Sequence, residues 1–185
     1  MLQKKYRNTQ FDERLDKSQE LVDDIAEILL AHGCIVRKYH DSEPFIYPDG
    51  LEIRGLDVLA AHNGKSIFID AKDFGKMKFH NATGLPVYLV KRYREIKKTT
   101  GMDCYLFFKD NPEVEEVISS GHKDFLGFYY PYGGEIDSFK LYHRQDIKSH
   151  FRNKYGERLP QEIWDIDSME SIYECISKWQ SGFPF

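Results

Sequence analysis

Apolar residues recur at helical spacing near the start of the chain: Leu21, Ile25, Ile28 and Leu29 form one stripe, which predicts a helix from about Ser18 to His32. Asp16 and Gln19 are spaced as a capping box ahead of it, and Gly33 supplies the stop. The period then shortens to two. Cys34-Ile-Val-Arg-Lys-Tyr39 predicts a strand, and the runs Gly55 to His62 and Lys65 to Lys72, separated by Asn63-Gly64, predict a β-hairpin. Both turn residues accept the positive φ of a type I′ turn. His40 to Gly50, with Pro44, Pro48 and Asp49-Gly50, reads as a loop whose Phe45 and Tyr47 either stack on bases or anchor the loop.

After Lys72, residues 73–84 are polar and glycine-punctuated, which predicts a loop carrying Lys76, Lys78 and His80. Pro86 suits the first turn of a second helix running to about Thr100, with Leu89, Val90, Tyr93 and Ile96 facing inward and Gly101 ending it. Cys104 to Lys109 is then a buried strand; a helix between strands implies parallel pairing across it. Further on, Asn111-Pro112 would cap a short helix through Ile118. Phe125 to Tyr130 and Glu135 to His143, joined by Pro131-Tyr-Gly-Gly134, read as another hairpin, and Ile166 to Gln180 as a closing amphipathic helix. Residues 1–15 are aperiodic, a tail or a packed arm. The order of the first elements is helix, three strands, helix, strand, an α/β arrangement in what reads as one domain over 1–185, its core at about 18–109 and a C-terminal extension at 110–185.

The hairpin carries the chemistry. Counting back in step from the pair His62–Lys65 places Asp57 opposite Asp70, with Asp57, Leu59, Phe68, Asp70 and Lys72 on one face and Leu56, Val58, Ile67, Ile69 and Ala71 on the other. Like charges opposed across strands repel. The pair is tolerable if one acid is protonated, if a cation bridges them, or if both lie at a solvated rim. The Lys72 ammonium supplies one positive charge and cannot alone saturate four carboxylate oxygens; a divalent metal would complete the site. Hard oxygen ligands suit Mg²⁺, for which Mn²⁺ substitutes, and such an ion meets the needs of phosphodiester hydrolysis. Lys72 would orient or deprotonate the attacking water, or stabilise the transition state.

Charge changes the picture by its distribution. The 185-residue chain has a formal net charge of −4, from 26 basic and 30 acidic residues, which taken as a sum argues against a nucleic-acid partner. Yet Lys91 to Lys98 carries five basic residues against Glu95, and Lys140 to Arg158 carries six against Asp146 and Glu157, while Glu162, Asp165, Asp167, Glu170 and Glu174 reverse the sign. Either cluster reads equally as a solvated face. Three cysteines, odd in number and far apart, form neither a disulfide framework nor a zinc signature. Met1 to Arg7 lacks an apolar stretch and no run is long enough to span a bilayer, so a cytoplasmic protein with no membrane partner is expected.

Asp57, a gap of twelve residues, then Asp70-Ala71-Lys72 resembles the signature of the PD-(D/E)XK nuclease superfamily, over roughly residues 18 to 109. Leu56 stands where the family name has Pro. The resemblance implies a restriction-endonuclease-like αβββαβ core with a mixed central sheet flanked by helices, to which this chain adds a C-terminal hairpin and helix. It further implies an Mg²⁺-dependent deoxyribonuclease, an endonuclease on double-stranded or branched DNA, with Asp57, Asp70 and the Ala71 carbonyl as metal ligands and Lys72 as the catalytic lysine. An acid of the first helix often joins the metal in this family, which makes Glu20 the first candidate and Glu27 the second, against the plainer reading of a solvated polar stripe. Lys76, Lys78, Lys91 and Arg92 are the candidate phosphate contacts, although a glutamine that relatives carry on the second helix is missing. Many relatives act as homodimers. The alternatives are a catalytically inactive nucleic-acid-binding domain on the same scaffold, or a protein-interaction module in which Asp57, Asp70 and Lys72 form a salt-bridge triad.

Other chemistry finds little support. No His-Glu-x-x-His spacing and no phosphate-binding Gly-x-x-x-x-Gly-Lys-Ser/Thr is present. His143 and His150 read as surface residues of a basic segment, and Cys34 as a small core residue.

Overall fold

A computed structural model describes residues 18–39, 45–46, 52–53, 56–72, 77, 80–109, 131–143, 147, 149, 151–153 and 155–181. Helix α1 spans 18–31 and buries Leu21, Val22, Ile25, Ala26 and Leu29. It ends as the sequence predicts: Gly33 takes φ +77°, the Gly33 N–H donates to the Leu30 carbonyl and the Cys34 N–H to that of Leu29, a Schellman motif. Of the expected capping box, Asp16 lies outside the described residues, and the Gln19 amide donates to Asp23 instead.

A six-stranded mixed sheet forms the centre. Strands β1 (Ile35–Lys38), β4 (Val58–His62), β5 (Lys65–Lys72), β7 (Asp103–Phe108), β8 (Tyr132–Glu135) and β10 (Glu170–Ser171) lie in that order, with β5 and β7 parallel and the other neighbours antiparallel. Helix α2 (Val87–Thr100) connects the parallel pair and stops at Gly101, φ +70°. Alternation along the strands feeds two cores. Val58, Ala60, Ile67, Ile69 and Ala71 pack with α1 and the final helix α3 (Ile172–Ser181), whereas Phe68, Leu106 and Phe108 pack with Val90, Tyr93 and Ile96 of α2. Leu56 breaks the expected alternation and joins the α2 side, because it precedes the paired residues of β4.

Four sequence expectations need correction. The segment between β1 and the hairpin holds short strands β2 (Phe45–Ile46) and β3 (Glu52–Ile53), paired antiparallel. The polar stretch after Lys72 ends in strand β6 (Ala82–Pro86), which pairs with β9 (Gln161–Asp165) in a separate two-stranded sheet. Pro131-Tyr-Gly-Gly134 is chiefly strand β8 rather than a turn, and 136–143 holds only an isolated bridge from Leu141 to Trp164. The closing helix starts at Ile172, after a 3₁₀ turn (Ile166–Ser168) capped by the Asp165 carboxylate and the strand β10. There Ser171 and Glu174 form a reciprocal capping box. The expected strand at 125–130 and the short helix at 111–118 lie outside the described residues.

Glycine explains two of these differences. A Cβ on Gly133 would stand 1.8 Å from the Leu106 carbonyl, and one on Gly84 would stand 2.3 Å from that of Glu162. Both residues permit close backbone approach between strands rather than a turn. Gly133→Ala is therefore expected to push β8 off β7 and to cost about 1–3 kcal/mol, read as a lowered urea midpoint.

Candidate functional site

The hairpin register is the one counted from sequence: His62 pairs with Lys65, Leu59 with Phe68 and Val58 with Ile69. Asn63 (φ +48°) and Gly64 (φ +78°) form the turn. One step beyond the last pair, the Asp57 N–H donates to the Ile69 carbonyl at 3.1 Å while the Asp57 carbonyl accepts from Tyr39 at 2.8 Å, so Asp57 is fixed between β5 and the end of β1. Its carboxylate accepts a 2.6 Å hydrogen bond from the Ala71 N–H. In a strand the N–H and C=O of one residue point to the same side. The Ala71 carbonyl therefore lies on the Asp57 side of β5, whereas the next carbonyl, of Lys72, turns to β7 and accepts from the Lys109 N–H.

Asp70 is buried at 2% exposure on a strand paired on both sides. Its Oδ2 accepts a 2.8 Å hydrogen bond from the Tyr93 hydroxyl and an ion pair from Lys72 Nζ, and its carboxylate also meets that of Asp57. Lys72 is half-buried, with Nζ 6.0 Å from the centre of the Tyr93 ring. Burial first, and the charge of Asp70 second, push the Asp57 carboxyl up to about 7 against the opposing pull of Lys72 and the Ala71 N–H. Burial likewise raises the Tyr93 hydroxyl, which stays protonated and acts only as a donor to Asp70.

Three of the expected residues, Asp57, Asp70 and Lys72, are thus brought together, with the Ala71 backbone beside them. Glu20 and Glu27 are not gathered with them. Both are exposed on α1, whose apolar stripe packs on the sheet face opposite Tyr93, and the described residues contain no cluster of three His, Cys, Asp or Glu side chains placed to hold a metal. The α1 acids with ion-pair partners are instead Asp23, at 2.7 Å from Lys38 of β1, and Asp24, at 2.6 Å from Lys109 just past β7. Lys91 and Arg92 are exposed on α2, and His80 lies beside Tyr142 at 6.1 Å between ring centres; Lys76 and Lys78 fall outside the described residues. Tyr93 was legible only as a core position. A tyrosine on an inward stripe needs a partner for its hydroxyl, and that requirement is the signal that points to Asp70.

A mixed central sheet with helices on both faces gives the chain a restriction-endonuclease-like fold. Among solved structures the chain is similar to a Holliday junction resolvase, Hjc, from Archaeoglobus fulgidus, with a TM-score of 0.51 and 11% sequence identity over 84% of this chain and 97% of that one. No family model and no curated protein matches. No helix among the described residues is long and apolar enough to cross a membrane.

Proposed function

We propose that this protein is an Mg²⁺-dependent nuclease that hydrolyses phosphodiester bonds in double-stranded or branched DNA, with Asp57 and Asp70 holding the ion and Lys72 assisting the reaction. The observation that carries this reading is the convergence of two carboxylates and one amine on the central hairpin. The likeness in fold to a resolvase supports it. A domain that only bound nucleic acid would gain nothing from two acids facing each other near anionic phosphate, nor would a salt-bridge triad need the second acid.

The donor set fits a hard divalent ion. Asp57 and Asp70 supply carboxylate oxygens, the Ala71 carbonyl points to the same side, and the Asp57 carboxyl, pushed up to about 7 by burial and then by the charge of Asp70, would gain from a cation beside it. Bound there, Mg²⁺ would polarise a phosphoryl oxygen and lower the pKa of a water. The chain's own residues do the rest. Tyr93 and Lys72 fix Asp70 Oδ2 from two sides, and the Ala71 N–H fixes Asp57, so the carboxylates are oriented before substrate arrives. The Lys72 ammonium would stabilise the negative charge that builds on the non-bridging phosphoryl oxygens as the water oxygen bonds to phosphorus and the ester oxygen leaves with a proton that the water gives up. Lys91 and Arg92, exposed on α2, face solvent as phosphate contacts.

Supercoiled plasmid and four-way-junction DNA are expected to be cut with Mg²⁺ or Mn²⁺ and left intact with EDTA. Binding without cutting would instead make the protein an inactive nucleic-acid-binding domain. Tyr93→Phe tests the positioning: losing a hydrogen bond to a charged acceptor costs about 1.5–3 kcal/mol, so kcat is expected to fall by about one to two orders of magnitude, with a weaker Mg²⁺ requirement curve and an intact fold.

A further inference from the structure

The C-terminal extension builds a small antiparallel arm outside the three sheets. The Leu159 N–H donates to the Phe151 carbonyl and the Asn153 N–H to that of Glu157, so the bridged residues between them, Arg152 and Arg158, form a non-hydrogen-bonded pair. Such pairs have the closest side chains in a ladder, with Cα atoms about 4.5 Å apart. Two like charges placed there repel. The Glu157 carboxylate accepts from the Asn153 amide at 2.7 Å and, among the described residues, pairs with neither guanidinium. Arg152 donates to the Gly156 carbonyl and Arg158 to that of Ser149, and neither has a carboxylate partner among the described residues. Both are exposed, leaving most of their N–H groups open to solvent.

Asn153 Oδ1 accepts from the N–H groups of Tyr155 and Glu157, and Gly156 takes φ +85° to close the turn. Tyr155, three residues from each arginine in sequence, is 76% exposed. The arm's root lies close to the proposed site. The Pro160 carbonyl accepts from the Val87 N–H, the first residue of α2, and Tyr93 against Asp70 is six residues along that helix, a rise of about 9 Å. From Pro160 the chain runs back through the bridged Arg158 and the Gly156 turn to Tyr155, a reach of at most about 17 Å.

We infer that this arm is a second contact for DNA, in which Arg152 and Arg158 hold phosphates of the strand led to Asp57 and Asp70 and Tyr155 packs on sugar or base. The inference rests on the proposed nuclease reading. Phosphates bound at the two guanidinium groups would offset the like charge that the free arm carries.

Fluorescence anisotropy of labelled duplex and junction DNA, in EDTA so that no cutting occurs, tests it across a NaCl series. Arg152→Ala with Arg158→Ala is expected to weaken binding about tenfold or more and to reduce the log–log salt slope by about two, since each neutralised phosphate contributes roughly 0.9. Melting temperature should stay the same or rise, because the opposed charges are gone. Arg152→Lys with Arg158→Lys should keep most of the slope, and Tyr155→Ala should weaken binding with the slope unchanged. A wild type that binds and cuts DNA, with affinity and slope untouched in the double alanine variant, overturns the arm's role and leaves the site standing. A wild type that binds no DNA at all overturns both.

Discussion

Replacing Asp70 with alanine, or Lys72 with alanine, is expected to abolish Mg²⁺-dependent DNA cutting, a loss of at least three orders of magnitude on the scale of removing one preorganised charge from a reacting centre. Asp70 is the more severe case. Its carboxylate is where Tyr93, Lys72 and Asp57 meet, so its loss would remove a proposed metal ligand and leave the Tyr93 hydroxyl without its acceptor. A buried donor stranded in this way costs about 1–3 kcal/mol, and Asp70→Asn is the control that retains an acceptor for Tyr93. Lys72→Ala should leave metal binding intact and remove turnover. The two variants are separated by a Mn²⁺ titration run beside the cleavage assay: Asp70→Ala loses both signals and Lys72→Ala loses only cutting. Cutting that survives both substitutions would reject the assigned site.

Asp57→Asn is expected to inactivate the protein and at the same time to stabilise its metal-free form at alkaline pH. The native Asp57 carboxyl titrates near 7 against an ordinary value of 3.8. Between those values the folded chain keeps a proton that the unfolded chain has released, so stability rises as pH falls. That contribution is full below about pH 4 and is lost as pH climbs through 7, where Asp57 must ionise beside Asp70. Asparagine keeps an oxygen to accept from the Ala71 N–H and offers its amide to Asp70, without a charge. Metal-free wild type and Asp57→Asn should melt together near pH 4 and separate by pH 8, with the variant higher by several degrees, since about 1 kcal/mol moves a chain of this size by roughly 2–4 °C. Mg²⁺ or Mn²⁺ should raise the wild-type melting temperature at pH 8 and leave the variant unmoved. Equal pH profiles for the two proteins would contradict the electrostatic coupling of the pair. Gain in stability from loss of a functional charge is a common trade at sites built for chemistry.

Much of this was legible in the chain because the deciding signals are local. Asn63-Gly64 sets the turn, and side-chain alternation then leaves a single register that puts apolar residues on both cores and Asp57 against Asp70. The α1 stripe with Gly33 and the α2 stripe with Gly101 are equally local. The failures share a cause, which is pairing with a distant partner. Ala82-Thr-Gly-Leu-Pro86 carries a glycine and a proline and reads as loop, yet it becomes β6 because Gln161–Asp165 lies against it and Gly84 lets the backbones approach. Gly133 misleads in the same way in β8. Within the site, the carboxylates and the lysine were visible from their spacing, whereas the Tyr93 hydroxyl bond depends on how α2 lies across the sheet. Glu20 is exposed on α1, which packs on the other face of the sheet.

The central claim is that Asp57 and Asp70 clasp one divalent ion, and crystals of the protein soaked in Mn²⁺ and measured at a wavelength where manganese scatters anomalously test it most directly. An anomalous peak is expected within about 2.3 Å of oxygens from both carboxylates and adjacent to the Ala71 carbonyl, lost in Asp57→Asn and Asp70→Ala crystals. Manganese bound elsewhere, or no manganese between these two side chains at concentrations that support cutting, would contradict it.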